Sequence, residues 1–160
     1  MVVENNITKQ AVWALLEEVP DPEIPVLSIL DLGIVRDIQI HDDQIEIIIT
    51  PTYSGCPAMD AISMDIRLKL IENGFKNVKI TAILSPAWTT DWMTEEGKIK
   101  LNKYGIAPPK MSGDLSDAPP VCPQCASTDT KLLSQFGSTA CKALYQCNDC
   151  KEPFDYFKCH

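Results

Sequence analysis

Apolar side chains fall on Ala11, Val12, Leu15, Leu16 and Val19, the spacing of one helix face. Thr8 is placed to cap the start and Pro20-Asp21-Pro22 to stop it. An irregular stretch from Asp21 to Leu32 follows. Ile34, Arg36, Ile38 and Ile40 then alternate with polar or smaller neighbours, His41-Asp42-Asp43 offers a turn, and Gln44 to Thr50 is a β-branched run, which together predict a hairpin. Helical spacing returns at Ala58, Met59, Ile62, Ile66 and Leu70. This second helix should open at Cys56-Pro57, with proline where its missing N–H costs nothing, and close at Asn73-Gly74. Val78, Ile80, Ala82 and Leu84 alternate as a third strand, and Thr94 to Gly105 reads as a short capped helix. The expectation is an α+β domain of order αββαβα with a three-stranded mixed sheet, spanning residues 1–107.

Residues 108–120 hold four prolines and only three other apolar side chains, too few to build a core, and read as a semi-rigid linker. The remaining segment, 121–160, is 40 residues, close to the size below which a hydrophobic core alone cannot offset chain entropy. Something must staple it. Cys122-Pro-Gln-Cys125 and Cys147-Asn-Asp-Cys150, separated by 21 residues, form two knuckles that can present four thiolates tetrahedrally to Zn²⁺. A site closed by four thiolates has no open position for water. One structural zinc per chain is expected, its binding free energy of order ~10 kcal/mol becoming folding free energy of a C-terminal zinc-ribbon β domain. Iron, an iron–sulfur cluster or redox dithiols at the same sulfurs are the alternatives. Five of the chain's 11 aromatic residues lie here: Phe136, Tyr145, Phe154, Tyr156 and Phe157. They suit either a small core beside the metal or an exposed patch for a protein partner. Cys141, Cys159 and His160 are left over. They read either as small packed residues or as a candidate second, labile metal position.

Charge narrows the partners. The chain carries 22 acidic against 14 basic residues, a formal charge of −8. In residues 121–160 four lysines balance four acidic side chains, so neither part offers a basic footprint and nucleic acid is not expected as a partner. Nor is a membrane: no run approaches the ~18 apolar residues of a span, and the start, Met1-Val-Val-Glu-Asn-Asn, lacks a basic region leading into an apolar one. A cytoplasmic location is expected, where seven cysteines point to metal or thiol chemistry before disulfides.

The seventh cysteine stands apart. Thr50-Pro-Thr-Tyr-Ser-Gly-Cys56-Pro57 puts a thiol between a strand end and a helix's first turn, where unpaired N–H groups and the macrodipole favour the thiolate. Cys56 is therefore a candidate reactive thiol or transient metal ligand, with a packed small residue as the bland alternative. Cysteine hydrolysis would need a histidine base, and the only histidines are His41, in a polar turn, and His160. A thiol oxidoreductase would need a resolving cysteine, and the next in sequence is 66 residues on. Asp21 and Glu23, in Asp21-Pro-Glu-Ile-Pro25, could share a metal with Cys56, or Asp21 could simply cap the turn after the first helix. Trp88 and Trp92 read as a staple onto the core or as a partner surface.

The run Asp21-Pro-Glu-Ile-Pro-Val-Leu-Ser-Ile-Leu-Asp-Leu-Gly33, followed by Thr52-Tyr-Ser-Gly-Cys56-Pro57, resembles the small αβ domain of cytosolic and bacterial iron–sulfur assembly proteins. With Ser85-Pro-Ala-Trp-Thr-Thr-Asp-Trp92, Tyr104-Gly-Ile-Ala-Pro-Pro109, Phe136-Gly-Ser-Thr-Ala-Cys-Lys-Ala-Leu-Tyr145 and the segment Glu152 to His160, nearly the whole chain resembles the PaaD-like family of bacterial phenylacetic acid degradation proteins. The resemblance implies an accessory or maturation protein, not an enzyme, for the multicomponent oxygenase that epoxidises the ring of phenylacetyl-CoA. The reductase component of that oxygenase carries a [2Fe-2S] cluster and flavin, and is the implied client. It also implies an active region at Asp21, Glu23, Thr50 and Cys56. A transient iron–sulfur cluster at Cys56, shared between two copies in a homodimer, is the expectation that follows. A non-catalytic structural adaptor within the oxygenase complex is the alternative.

Overall fold

The computed structural model describes residues 8–110 and 118–158. By its contacts the chain divides between Trp88 and Thr89 into two units.

In the first unit, α1 (Lys9–Glu17) begins where Thr8 Oγ1 accepts the Ala11 N–H at 3.2 Å. Val12 and Leu16 are its buried residues, and it packs on α2 (Ala58–Glu72) and β1 (Val35–His41). β1 pairs antiparallel with β2 (Gln44–Ile49), which pairs parallel with β3 (Asn77–Ala82), so the three-stranded sheet is mixed as expected. Asp42 adopts φ 49° in the hairpin turn. β2 buries every second residue, Ile45, Ile47 and Ile49, because one sheet face meets the helices. β1 departs from the alternation read in the sequence. The register slips between Val35 and Asp37, so Val35 and Ile38, three apart, both turn inward and Arg36 is exposed.

The stretch 18–34 is irregular but tightly bonded. Asp21 Oδ1 accepts the N–H groups of Glu23 (2.9 Å) and Ile24 (2.7 Å), while Ser28 and Asp31 each cap the other's backbone N–H at 3.0 Å. These bonds satisfy backbone that has no ladder, and they let Ile24, Leu27, Ile29, Leu32 and Ile34 join the core. Trp88, 4% exposed, donates its indole N–H to the Leu32 carbonyl at 2.7 Å, which assigns it to this core.

The second unit contains a 3₁₀ turn (Thr90–Trp92), α3 (Glu95–Tyr104), β4 (Ile106–Ala107), β5 (Thr130–Ser134), β6 (Lys142–Cys147) and β7 (Pro153–Phe157). Thr94 caps α3 and Gly105, at φ 92°, ends it. The sheet order is β4-β7-β6-β5, with β4 parallel to β7 and the other pairs antiparallel. α3 and β4 thus group with the ribbon, although composition placed them before the linker. The reason is the ladder: Ile106 pairs with Asp155 and Ala107 with Tyr156. A pair of residues is too short a strand to announce itself in sequence. Trp88 and Trp92 consequently fall in different units, Trp92 half-buried in its 3₁₀ turn.

The ribbon's aromatics mostly form its core. Phe154 and Phe157 are buried, and Tyr145 stacks on Phe154 (centroids 6.0 Å) and meets Tyr156 edge-on (5.6 Å). Phe136 is the exception, exposed with the Lys158 ammonium 4.6 Å from its ring centre. No helix among the described residues is long and apolar enough to cross a membrane.

Candidate metal centre and thiol loop

Two knuckles of the same design face each other in the second unit. Cys122-Pro-Gln-Cys125 precedes β5, with the Gln124 N–H 3.4 Å from Cys122 Sγ; Cys147-Asn-Asp-Cys150 closes β6, with the Cys150 N–H 3.5 Å from Cys147 Sγ. The residue after each knuckle is left-handed, Ala126 at φ 62° and Lys151 at φ 68°. This is the sharp reversal by which the chain leaves each knuckle, the Ala126 N–H reaching back to the Cys122 carbonyl at 2.9 Å. Asp129 ties the knuckles together: its carbonyl accepts the Asn148 N–H (2.8 Å) and its Oδ1 the Asn148 side-chain amide (2.7 Å), while Ser127 Oγ donates to Asp149.

The four sulfurs lie within 4.8 Å of one another, with Cys122 Sγ to Cys150 Sγ at 3.8 Å and Cys125 Sγ to Cys147 Sγ at 3.6 Å. A disulfide would require about 2.05 Å. A tetrahedron with metal–sulfur bonds of ~2.3 Å has edges of ~3.8 Å, so the donor set fits one tetrahedral dication. Electrostatics agree. Backbone N–H donation from Cys150 lowers the Cys147 thiol to about 7. Against the lowering N–H of Glu152, burial and its sulfur neighbours push the Cys150 thiol up to about 12. Against the lowering N–H of Ser127, Cys125 is likewise raised by burial and by Cys147 and Cys122. Four sulfurs this close resist ionising together until a cation neutralises them. Cys122, Cys147, Ala107 and Phe154 form one buried cluster with Tyr145 and Tyr156 against it, so the metal position and the ribbon's hydrophobic core are a single object.

Cys141 does not belong to that set. It is buried at the start of the β6 hairpin, 2.9 Å from Thr139 Oγ1, and its carbonyl accepts the Lys158 N–H at 3.0 Å. The other members of the candidate second position, Cys159 and His160, lie outside the described residues.

In the first unit, Cys56 is half-buried in the loop between β2 and α2. Its N–H donates to the Tyr53 carbonyl and its own carbonyl accepts the Met59 N–H, both at 3.2 Å, which fixes the backbone at the entrance to α2. Gly55, at φ 78°, makes the turn into Cys56; a Cβ there would meet nothing within 4 Å, so the constraint is conformational rather than steric. Thr50 begins this loop. It is 1% exposed, its N–H donates to the Ile34 carbonyl at 2.9 Å, and its Oγ1 is the one buried side-chain polar atom without a hydrogen-bond partner among the described residues. Leaving such a hydroxyl unpaired costs about 1–3 kcal/mol, so this atom calls for a partner that the described residues do not supply.

Asp21 and Glu23 are placed differently from a ligand set. Asp21 is buried and spends Oδ1 on two backbone N–H groups, the capping role. Glu23 is half-buried. Among the described residues, the four knuckle cysteines are the only group of three or more potential ligands close enough to hold a metal; Cys56, Asp21 and Glu23 do not form another.

The Cys-x-x-Cys spacing announced the first site. Thr50 was named as a site residue only through the family resemblance, its orphaned hydroxyl being invisible in the sequence, and the left-handed residues at 126 and 151 had no sequence signal, because an ordinary alanine and lysine stand there.

Known proteins divide along the same line. Residues 107–158 match the PaaD zinc beta ribbon domain and residues 9–81 the iron–sulfur cluster assembly protein family. An Escherichia coli K12 protein, named as one of the subunits of a "Putative 1,2-phenylacetyl-CoA epoxidase", is 53% identical over 150 residues, covering 92% of this chain and 91% of that one. A Porphyromonas gingivalis protein named "Fe-S protein maturation auxiliary factor" is 36% identical over 96 residues, which are 59% of this chain and 90% of the relative. The crystal structure of a domain of unknown function, DUF59, from Bacillus anthracis superposes with a TM-score of 0.54 at 29% identity, covering 57% of this chain and 89% of that one. A four-cysteine metal site on a zinc ribbon, joined to an assembly-type αβ unit and matched along almost the whole chain, leads to one conclusion: the chain belongs to the PaaD family.

Proposed function

We propose that this protein is a cytoplasmic accessory factor that matures the phenylacetyl-CoA ring-epoxidising oxygenase by assisting iron–sulfur cluster assembly on its reductase component. The observation that carries the reading is the separation of two kinds of sulfur. Cys122, Cys125, Cys147 and Cys150 form a closed set suited to one structural Zn²⁺, whereas Cys56 stands half-buried at a helix entrance with no group of further ligands around it among the described residues. A lone thiolate holds iron weakly, so the rest of the coordination must come from the client or from Cys56 of a second copy. On ligating iron, Cys56 gives its thiol proton to solvent and recovers it on release; no change of oxidation state is needed. Thr50, which begins the same loop, keeps a buried hydroxyl with hydrogen-bonding capacity left over, and this supports a role for it beside Cys56. Asp21 shapes the neighbouring loop through its backbone caps, and Glu23 is the carboxylate that tunes the site. A relative named as a maturation auxiliary factor supports this role.

The relative named as an epoxidase component supports a second reading, a structural adaptor that binds the oxygenase and handles no metal. Co-production of the reductase with wild-type chain or Cys56→Ala separates them. Maturation predicts a reductase depleted of its [2Fe-2S] absorption with the variant; a fully loaded reductase, with the variant still bound to the complex, supports the adaptor.

A further inference from the structure

Helix α2 has two apolar faces. Ala58, Ile62, Ile66 and Leu70 are buried. On the opposite side Met64, Leu68 and Ile71 stand 56%, 49% and 48% exposed. Their spacing of four and three is that of a helix-packing seam, and an outward helix face would ordinarily be polar. Three large apolar side chains in one row on an otherwise charged surface mark a contact surface rather than scattered exposure.

The charges beside the row say what fits it. On the wheel of α2, Asp65 and Glu72 flank it on one side and Asp60 and Arg67 on the other; Arg67 donates Nη1 to the Val78 carbonyl at 2.9 Å. Next to Leu68 lies a hollow of about 140 Å³ where Pro20 and Val19 meet the carboxylates of Glu18, Asp65 and Glu72, and the lysine there, Lys69, pairs with Glu18. The surface is thus an apolar row bordered by net negative charge. A second copy laid antiparallel on it would set Asp65 and Glu72 against their own kind, and an anionic lipid surface would be repelled.

We propose that the outer face of α2 is a docking site for an amphipathic helix of a partner protein, one with an apolar stripe bordered by Lys or Arg, a cation of which enters the hollow beside Leu68. The 15 residues of α2 offer about 22 Å, four turns of such a helix. Because α2 begins just after Cys56, a partner docked there lies along the same helix as the candidate thiol.

The test uses the full-length, zinc-loaded chain and two synthetic helical peptides with the same Leu/Ile/Met stripe, one bordered by Lys and one by Glu. Fluorescence anisotropy should show the Lys peptide binding and the Glu peptide at least tenfold weaker, with backbone amide shifts confined to α2 and the end of α1. Leu68→Lys should weaken the Lys peptide at least tenfold without lowering the melting temperature, and Asp65→Lys combined with Glu72→Lys should reverse the peptide preference. Equal affinity for both peptides, binding of neither, or shifts elsewhere in the chain would overturn the proposal. So would sedimentation of the chain as a dimer that Leu68→Lys dissociates, which would make a second copy the occupant.

Discussion

The two sulfur sites invert each other's design. Around the knuckles everything is supplied within 30 residues: four sulfurs, a backbone N–H donor aimed at each of them, left-handed residues that close each turn, and an Asp129 strap. Around Cys56 little is supplied: one half-buried thiol, a left-handed glycine before it, and a buried hydroxyl with no partner among the described residues. A complete set binds permanently and stabilises; an incomplete one has affinity to spare only when another molecule finishes it. If Cys56 exchanges iron as proposed, the contrast teaches that permanence and exchange can share one small chain when the ligand count differs.

The largest expected effect breaks the closed site. Cys147→Ala, or chelation under reducing conditions, should remove the metal and unfold the ribbon, since binding contributes of order ~10 kcal/mol to so small a unit. Loss of its amide dispersion in NMR together with zinc below a fifth of an equivalent would show it. Cys56→Ala should leave zinc at one per chain and the melting curve unchanged within about 0.5 kcal/mol; if it strips the metal instead, the two sites are not separate.

A smaller effect comes from the ribbon hairpin. A Cβ on Gly137 would sit 2.2 Å from Asp155 Oδ1, which must then give up its bond to the Ser138 N–H. Gly137→Ala should cost roughly 1–3 kcal/mol by chemical denaturation. Thr50→Val sharpens the comparison at the other site, because removing an unpaired buried hydroxyl should raise stability by up to about 1 kcal/mol while cluster delivery to the reductase falls. A stable variant with undiminished delivery would make Thr50 a structural residue only. Last, Lys151→Gly relieves a left-handed residue, and a gain of about 0.5 kcal/mol in thermal unfolding is expected.

How far the sequence could be read follows from the range of the forces involved. Thr8, Thr94 and Gly105 act within one helical turn, so the helix ends they define were legible. The four knuckle cysteines were legible because tetrahedral ligation demands that spacing. Features set by distant contacts were not. The slip at Arg36 depends on how β1 meets β2, and the β4–β7 pairing joins residues about 50 apart. Trp88 suits core or surface equally by sequence, and only the bond from its indole to the Leu32 carbonyl, 56 residues away, decides for the core. At the candidate site, Asp21 was ambiguous between capping and ligation; two backbone N–H groups on Oδ1 show that it caps. The outer row of α2 was hidden because a helix apolar on two sides has little net amphipathic signal to separate one face from the other.

Cluster transfer measures the central claim most directly. The chain would be reconstituted anaerobically with ferrous iron and sulfide, mixed with cluster-free reductase, and the growth of [2Fe-2S] absorption on the reductase followed. Wild-type chain should accelerate loading over free iron and sulfide, and Cys56→Ala, with its zinc intact, should do no better than the free ions. Equal rates for the two proteins would contradict the account and leave the chain a scaffold.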